Sequence, residues 1–486
     1  MRHAHTVEQV RAAEAALMAR LPEGVLMQRA AAGLAAVCAG LLPRVYGSRV
    51  LVLAGSGDNG GDALFAAARL ARRGARAEAL LLDPAKAHAA GLAALLAAGG
   101  RVTADPDAFG RADLVLDGIV GIGGRGPLRP AAAPFAAMAR RGRVVAVDVP
   151  SGVDPDTGEV AGAALRADVT VCFGTHKPGL LIDPGAGYAG VVHLVGIGLD
   201  LPPAPVEALQ RADVAALLPV PGAESDKYRR GVVGVAAGSA RYPGAAVLAV
   251  AGALHGGAGA VRYTGHAAAE VVRRHPETLV TEDGPARAGR VQAWVVGPGG
   301  GADAERTLRE ALDTGVPVLA DADALTELAR LGPSALAGRD APVLLTPHAG
   351  EAARLLAGLG ESADAEEVAA RRLWAARLLA AGYGATVLLK GSTTVVAAPD
   401  GRARVNATGT GWLGTAGSGD VLSGLAGSLL ATGLAPLDAA SVAAHLHGLA
   451  GRHAAGDGAP ITALDLAGTL HRAWGTIQGL GENGGK

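Results

Sequence analysis

Cysteine is nearly absent: only Cys38 and Cys172 occur in 486 residues, with no CxxC or Cys/His spacing around them. That excludes a disulfide framework and a structural zinc site, and a reducing, cytoplasmic setting is expected. Aromatic residues make up 3% of the chain, too few for base-stacking platforms. Neither sign of charge is in excess, the formal net charge being −1, so no positive field gathers nucleic acid or an anionic membrane. The early apolar run from Ala30 to Leu42 is too short to cross a bilayer, and the opening MRHAHTVEQVRAAEAAL lacks the apolar core of a signal peptide. Neither nucleic acid nor membrane is expected as a partner. No G-x-x-x-x-G-K-[ST] is present, which removes the P-loop.

What is present is ample core material, 50% hydrophobic against 18% charged. At about 150 residues per domain the length implies two large units or three smaller ones. Short apolar runs bounded by Gly, Pro or Asp alternate with longer Ala/Leu/Arg stretches, the pattern of an α/β chain. Strands are expected at Val50–Ala54, Ala79–Leu82, Leu114–Asp117, Val144–Val149, Val169–Phe173 and Val191–Val195. A Pro-rich stretch places a junction at about 206–225, giving expected domains 1–212 and 213–486. A second series follows at Val232–Ala236, Ala293–Val296, Val316–Ala320, Val343–Leu345, Val387–Leu389 and Thr394–Ala397, ending in helices over Val421–Leu430 and Leu437–Ala454. No motif repeats between the halves, which argues for two different domains.

Gly55, Gly57 and Gly60 satisfy G-x-G-x-x-G between a strand and a helix. This reads either as a pyrophosphate-binding turn, with Asp83 as a ribose acid, or as a tight turn without a ligand. Three polar residues crowd the turn in Asp58-Asn59-Gly60-Gly61-Asp62, more than a dinucleotide fingerprint needs. Two further strands run into DGIVGIGGRGP and AVDVPSGVDPDTG, and a doubly wound sheet gathers such loops at one edge. Asn59, Asp117, Asp148 and Ser151 converge there on this reading, with oxygen donors suited to a hard cation and Asp148 placed to move protons. The plain alternative is a strand-end turn at Asp117 and an Asx turn at Asp148.

In the second half, Gly417-Ser418-Gly419-Asp420 precedes an apolar helix. Free amides and the positive helix end then face an anion, and Asp420 is placed to take a proton from an attacking hydroxyl. The alternative makes Asp420 a helix cap. Lys390, followed by Gly391, Ser392, Thr393 and Thr394, suits nucleotide phosphates or a solvated hairpin. His348 and Glu351 end another strand, and His445 and His447, two apart on a helix, point to different faces and make no metal pair.

The segments AGSGDNGGD, DGIVGIGGRGPLR and AVDVPSGVDPDTG, in this order, resemble the NAD(P)H-hydrate epimerase family over roughly the first 210 residues. The resemblance implies a Rossmann-like three-layer domain, hydrate contacts along Asp58, Asn59, Gly60, Gly61 and Asp62 and along Gly121, Ile122, Gly123, Gly124, Arg125, Gly126 and Pro127, potassium at Asn59, Asp117 and Ser151, and acid/base work by Asp148. Asp58 stands where that family usually has Asn. The segments DKYRRGVVGVAAGSARYPGAAVLA, VVGPGGG, LTPHAGE, LLKGSTT and NATGTGWLGTAGSGDVLSGLAG resemble the ADP/ATP-dependent NAD(P)H-hydrate dehydratases of the ribokinase-like superfamily. This implies a ribokinase-like α/β domain, hydrate contacts at Ala245, Gly299, Gly301, His348 and Asp420, nucleotide contacts along Lys390–Thr394 and at Gly419, and magnesium bridging phosphates.

Together these imply a bifunctional repair enzyme acting on NADHX or NADPHX, with ADP as the preferred phosphoryl donor, ATP open, and a homo-oligomer expected. A ribokinase-like small-molecule kinase fused to a dinucleotide-binding domain, and a nucleotide sensor without turnover, are the rivals.

Overall fold

In the computed structural model, which describes residues 1–281 and 283–479, the chain forms two compact units, His3–Val206 and the chain from Glu207 onward. The first unit contains α1 (Val7–Met18), α2 (Val25–Leu41), β1 (Arg49–Ala54), α3 (Asp58–Arg72), β2 (Arg76–Leu81), α4 (Ala89–Ala97), β3 (Arg101–Thr103), β4 (Leu114–Gly118), β5 (Arg143–Val147), β6 (Val169–Phe173) and β7 (Val191–Val195). Its seven strands are all parallel, in the order β3-β2-β1-β4-β5-β6-β7. Central strands such as VLVLA are apolar without alternation because both faces are covered. Leu34, Cys38, Leu64, Leu70 and Val52 share one core, and Leu51, Leu53, Phe109 and Phe135 share another. The strand order reverses direction between β1 and β4, and the loops leaving those two strands border the crevice where such sheets bind ligands.

The second unit contains β8 (Val232–Ala236), α5 (Pro243–His255), β9 (Ala260–Thr264), β10 (Leu279–Thr281), β11 (Ala293–Val296), α6 (Ala304–Asp313), β12 (Val318–Ala320), α7 (Asp323–Leu331), β13 (Val343–Leu345), α8 (Ala349–Gly358), α9 (Arg372–Tyr383), β14 (Thr386–Leu389), β15 (Thr394–Ala397), β16 (Ala403–Asn406), α10 (Ser418–Ala431), α11 (Pro436–Ala455) and α12 (Ala463–Gln478). The sheet runs β16-β15-β14-β13-β12-β11-β8-β9-β10, parallel from β14 to β10, with β15 and β16 antiparallel. α10 is buried from Val421 to Ala431 and packs closely on α5. The contact needs glycine on both helices: a Cβ on Gly424 would lie 1.9 Å from the Ala249 carbonyl oxygen, and one on Gly252 would lie 2.1 Å from that of Val421. This clamp fixes the N-terminal turn of α10, where Asp420 sits.

Several elements depart from the expected boundaries. β12 begins at Val318, not Val316, because Pro317 has no N–H for the ladder, though its carbonyl accepts from Trp294. β5 stops at Val147, since Asp148 turns into the left-handed region at φ 68°. β2 begins at Arg76, and the short strands β3, β9, β10 and β16 were not anticipated; charged residues such as Arg101, Arg262 and Arg404 hide their apolar pattern. Among the described residues no helix is long and apolar enough to cross a membrane.

Candidate active sites

In the first unit the glycine turn after β1 is held by close backbone contact. A Cβ on Gly55 would lie 1.8 Å from the Ile119 carbonyl oxygen, and one on Gly60 would lie 2.5 Å from that of Gly55. The turn is thereby pressed against the loop after β4. Asn59 faces the same loop, where a Cβ on Gly121 would meet its Oδ1 at 2.6 Å. The Asp58–Asp62 run and the start of the Gly121–Pro127 loop are thus brought together. Arg125 lies further out, exposed, 3.8 Å from Asp156. Asp83 is half-buried and pairs with Lys86 at 3.0 Å.

Beneath these loops, fully buried Asp117 accepts from the Ser151 N–H at 2.8 Å and the Ser151 hydroxyl at 2.6 Å. Burial pushes the Asp117 carboxyl up to about 6, against the lowering effect of the Ser151 hydrogen bonds. Ser151 Oγ also lies 3.1 Å from the Val120 carbonyl oxygen, which ties the ends of β4 and β5 together. The Asn59 Nδ2 and Asp62 Oδ1 atoms are buried without a hydrogen-bond partner. Such atoms point to polar groups that a ligand supplies. The side-chain amide, carboxylate and hydroxyl of Asn59, Asp117 and Ser151 are oxygen donors that fit a hard, weakly held cation such as potassium.

Asp148 accepts from the Phe173 N–H at 3.0 Å and from the Lys177 ammonium. Lys177 is fully buried, and its Nζ also donates to the Phe173 carbonyl at 3.0 Å. Burial alone would lower this ammonium, but the neighbouring Asp148 carboxylate outweighs it and holds Lys177 above its ordinary value. The Asp62 carboxyl is pushed well above its ordinary value by burial, then by the charges of Asp148, Asp58 and Glu14. Asp148 therefore faces a buried cation, while Asp62 is surrounded by the charges of other carboxylates.

In the second unit, Gly417 enters α10 at φ 88° and Asp420 occupies its first turn. A Cβ on Gly419 would lie 3.4 Å from Lys390 Nζ, so the lysine at the end of β14 reaches the turn. Lys390 Nζ donates to Asp321 Oδ1 at 2.7 Å and lies 3.7 Å from Glu351 Oε2. Burial, together with the charges of Asp321 and Glu351 and against that of Lys390, pushes the Asp420 carboxyl up to about 7. His447, buried, has Nε2 2.9 Å from the Ser418 carbonyl oxygen, and burial lowers its ring to about 4, so it is a neutral donor holding the turn.

Ala245 and Gly299 meet, a Cβ on Gly299 lying 2.8 Å from that of Ala245, while a Cβ on Gly301 would lie 3.2 Å from that of Ser239. His348 caps α8, its Nδ1 accepting from Gly350 at 3.0 Å while its exposed ring stays at the rim. Within Lys390–Thr394, Thr393 is buried, Thr394 opens β15 and Ser392 is exposed. Arg372 lies against the same turn, its guanidinium filling the space beside Gly391.

Sequence reasoning missed Lys177, Asp321 and Arg372. Lys177 stands alone in THKPG, Asp321 lies in the Ala/Asp-rich ADADAL, and neither carries a glycine signature. Each strand end is the one available signal, since side chains there reach the crevice. Among the described residues no three His, Cys, Asp or Glu side chains cluster as a metal cage. A magnesium ion carried mainly by substrate phosphates fits that donor set.

Residues 233–472 match the family described as NAD(P)H-hydrate dehydratase, and residues 23–179 match the YjeF-related protein N-terminus. The chain is 52% identical over 443 residues to the bifunctional NAD(P)H-hydrate repair enzyme Nnr of Mycobacterium leprae, covering 89% of this chain and 90% of that protein. It is 37% identical over 507 residues to the Nnr of Corynebacterium glutamicum, covering 90% and 88%. The crystal structure of the ADP/ATP-dependent NAD(P)H-hydrate dehydratase of Bacillus subtilis, co-crystallised with ATP and Mg2+, superposes with a TM-score of 0.51 at 30% identity, covering 56% of this chain and 99% of that one.

Proposed function

The chain belongs to the family of bifunctional NAD(P)H-hydrate repair enzymes, and from that premise we propose a division of labour between its two sites. The chain is an NAD(P)H-hydrate epimerase in its first unit and a nucleotide-dependent NAD(P)H-hydrate dehydratase in its second.

In the first unit the hydrate lies between the Asp58–Asp62 turn and the Gly121–Pro127 loop. Epimerisation expels the C6 hydroxyl as water, with the proton supplied by the buried Asp62 carboxyl, and returns water to the opposite face of the ring. Asp148, paired with the buried Lys177 ammonium, takes the proton from the returning water. Asn59, Asp117 and Ser151 would hold a potassium ion, which supplies a fixed positive charge beside the ring when bound.

In the second unit Asp420 takes the proton of the C6 hydroxyl of the (S) epimer, and the hydroxyl oxygen attacks the terminal phosphorus of ADP. AMP leaves. The phosphorylated oxygen then departs as phosphate while the C5 proton is lost, which forms the ring double bond and restores NAD(P)H. Lys390 and the amides of the Gly417–Gly419 turn receive the phosphoryl charge, with Ser392, Thr393 and Thr394 along the nucleotide. Magnesium, held through the phosphates, would neutralise the charge that develops on them. Ala245, Gly299, Gly301 and His348 border the hydrate.

The observation that carries this reading is the meeting of Lys390, the Gly419 turn and Asp420 at one point, a cation, an amide nest and a base within one turn of helix. The test uses separated (R) and (S) hydrates. Asp420→Ala abolishes nucleotide-dependent recovery of the reduced nicotinamide from the (S) epimer and spares epimerisation. Asp148→Asn leaves the (S) epimer repairable and the (R) epimer dependent on spontaneous conversion. Loss of (S) repair in Asp148→Asn overturns the division.

A further inference from the structure

Asp321 directly follows β12, behind the nucleotide turn, and is 1% exposed. Both of its carboxylate oxygens are committed: Oδ1 accepts from Lys390 Nζ at 2.7 Å and Oδ2 from the Ser423 hydroxyl at 2.6 Å. Ser423 lies on α10, one turn beyond Asp420, and is itself fully buried. A Cβ on Gly419 would lie 3.9 Å from Asp321 Oδ2 and 3.4 Å from Lys390 Nζ, so the carboxylate and its lysine stand against the back of the amide turn.

The next residue, Ala322, is one of two non-glycine residues with positive φ among the described residues, at φ 49° and ψ −115°. Backbone of this kind is strained and persists only where its surroundings hold it. It is held from both sides. A Cβ on Gly297 would lie 2.0 Å from the Asp321 carbonyl oxygen, and Asp323 Oδ2 accepts from the Gly301 N–H at 2.9 Å. The Asp321-Ala322-Asp323 turn therefore touches the nucleotide half of the site through Lys390 and the hydrate half through Gly301.

We propose that Asp321 is the positioning residue of the dehydratase centre, its buried carboxylate fixing Lys390 against the Gly419 turn and fixing α10 through Ser423, so that phosphoryl group, ammonium and Asp420 meet in one geometry. The proposal rests on the dehydratase reading above. Asp321 touches neither substrate; it acts through Lys390 and through its charge on Asp420. The other charged groups acting on Asp420 are Lys390 at the end of β14 and Glu351 on α8, while His447 of α11 holds the turn as a neutral ring.

The experiment measures ADP-dependent recovery of NADH from the (S) hydrate against pH for the full chain and for Asp321→Asn. Removing the Asp321 charge leaves Lys390 without its closest counter-ion beside Asp420, so the acidic limb of kcat/KM moves down by about half a unit to one unit. kcat falls about tenfold or more as Lys390 loses its anchor. A limb that stays in place while activity falls means a merely structural role and overturns the proposal, as does an unchanged kcat. Asp321→Glu provides the second arm should Asp321→Asn fail to fold. It keeps the charge and displaces it by one methylene, so kcat falls about tenfold while the limb holds; an unchanged kcat again overturns the proposal. No recovery by the wild-type chain would strike the dehydratase reading instead, so the two failures are distinguishable.

Discussion

Lys177 and Asp148 form a buried ion pair in the first unit, the lysine without exposed surface and the aspartate held in a left-handed turn that aims its carboxylate at the ammonium. The pair puts a buried cation against the Asp148 carboxylate. It also makes the epimerase centre vulnerable to loss of either partner.

Lys177→Met leaves the Asp148 carboxylate without its cation. Breaking a buried pair from one side costs about 3–5 kcal/mol, so the first unit's unfolding midpoint falls and epimerisation is lost. Recovery from the (S) epimer persists at permissive temperature. Thermal unfolding together with separate assays on the two epimers checks both halves of this expectation.

Gly55→Ala places a methyl group where the Ile119 carbonyl oxygen stands. The glycine turn must retreat from the loop after β4 by about an ångström or more, enough to slow epimerisation about a hundredfold. The dehydratase keeps its rate. A parallel loss of both activities would contradict the placement of this turn in the epimerase centre alone.

The dehydratase has its own pH signature. Asp420 must be ionised to accept the hydroxyl proton, and burial with the Asp321 and Glu351 charges has pushed its carboxyl up to about 7. The rate therefore falls as pH drops through about 7, well above the ordinary carboxylate range. Initial rates with the (S) epimer between pH 5 and 9 check this; a plateau reaching down to pH 5 would show that Asp420 is not the base.

Much of this was legible in the sequence where glycine is demanded by backbone contact. The turn after β1 and the turn before α10 both announced themselves, because close approach leaves no room for a Cβ. The central parallel strands were legible from unbroken apolar runs. Edge strands such as Arg101–Thr103 and Leu279–Thr281 were not, since three residues with charged or polar neighbours carry no period. Lys177 and Asp321 stayed hidden for another reason. Their meaning lies in a partner 29 or 69 residues away, Asp148 for one and Lys390 for the other, and no local pattern encodes that pairing. The cap at His348 was not legible either: the resemblance makes it a hydrate contact, and the structure shows its Nδ1 capping α8 with its ring exposed.

The most direct measurement of the whole account is the product balance of a single reaction: purified chain, a mixture of (R) and (S) NADHX, and ADP with magnesium, with NADH, AMP and phosphate quantified together. All three are expected in equal amounts until both epimers are consumed. NADH appearing without ADP, or a stable phosphorylated hydrate accumulating with no NADH, would contradict it.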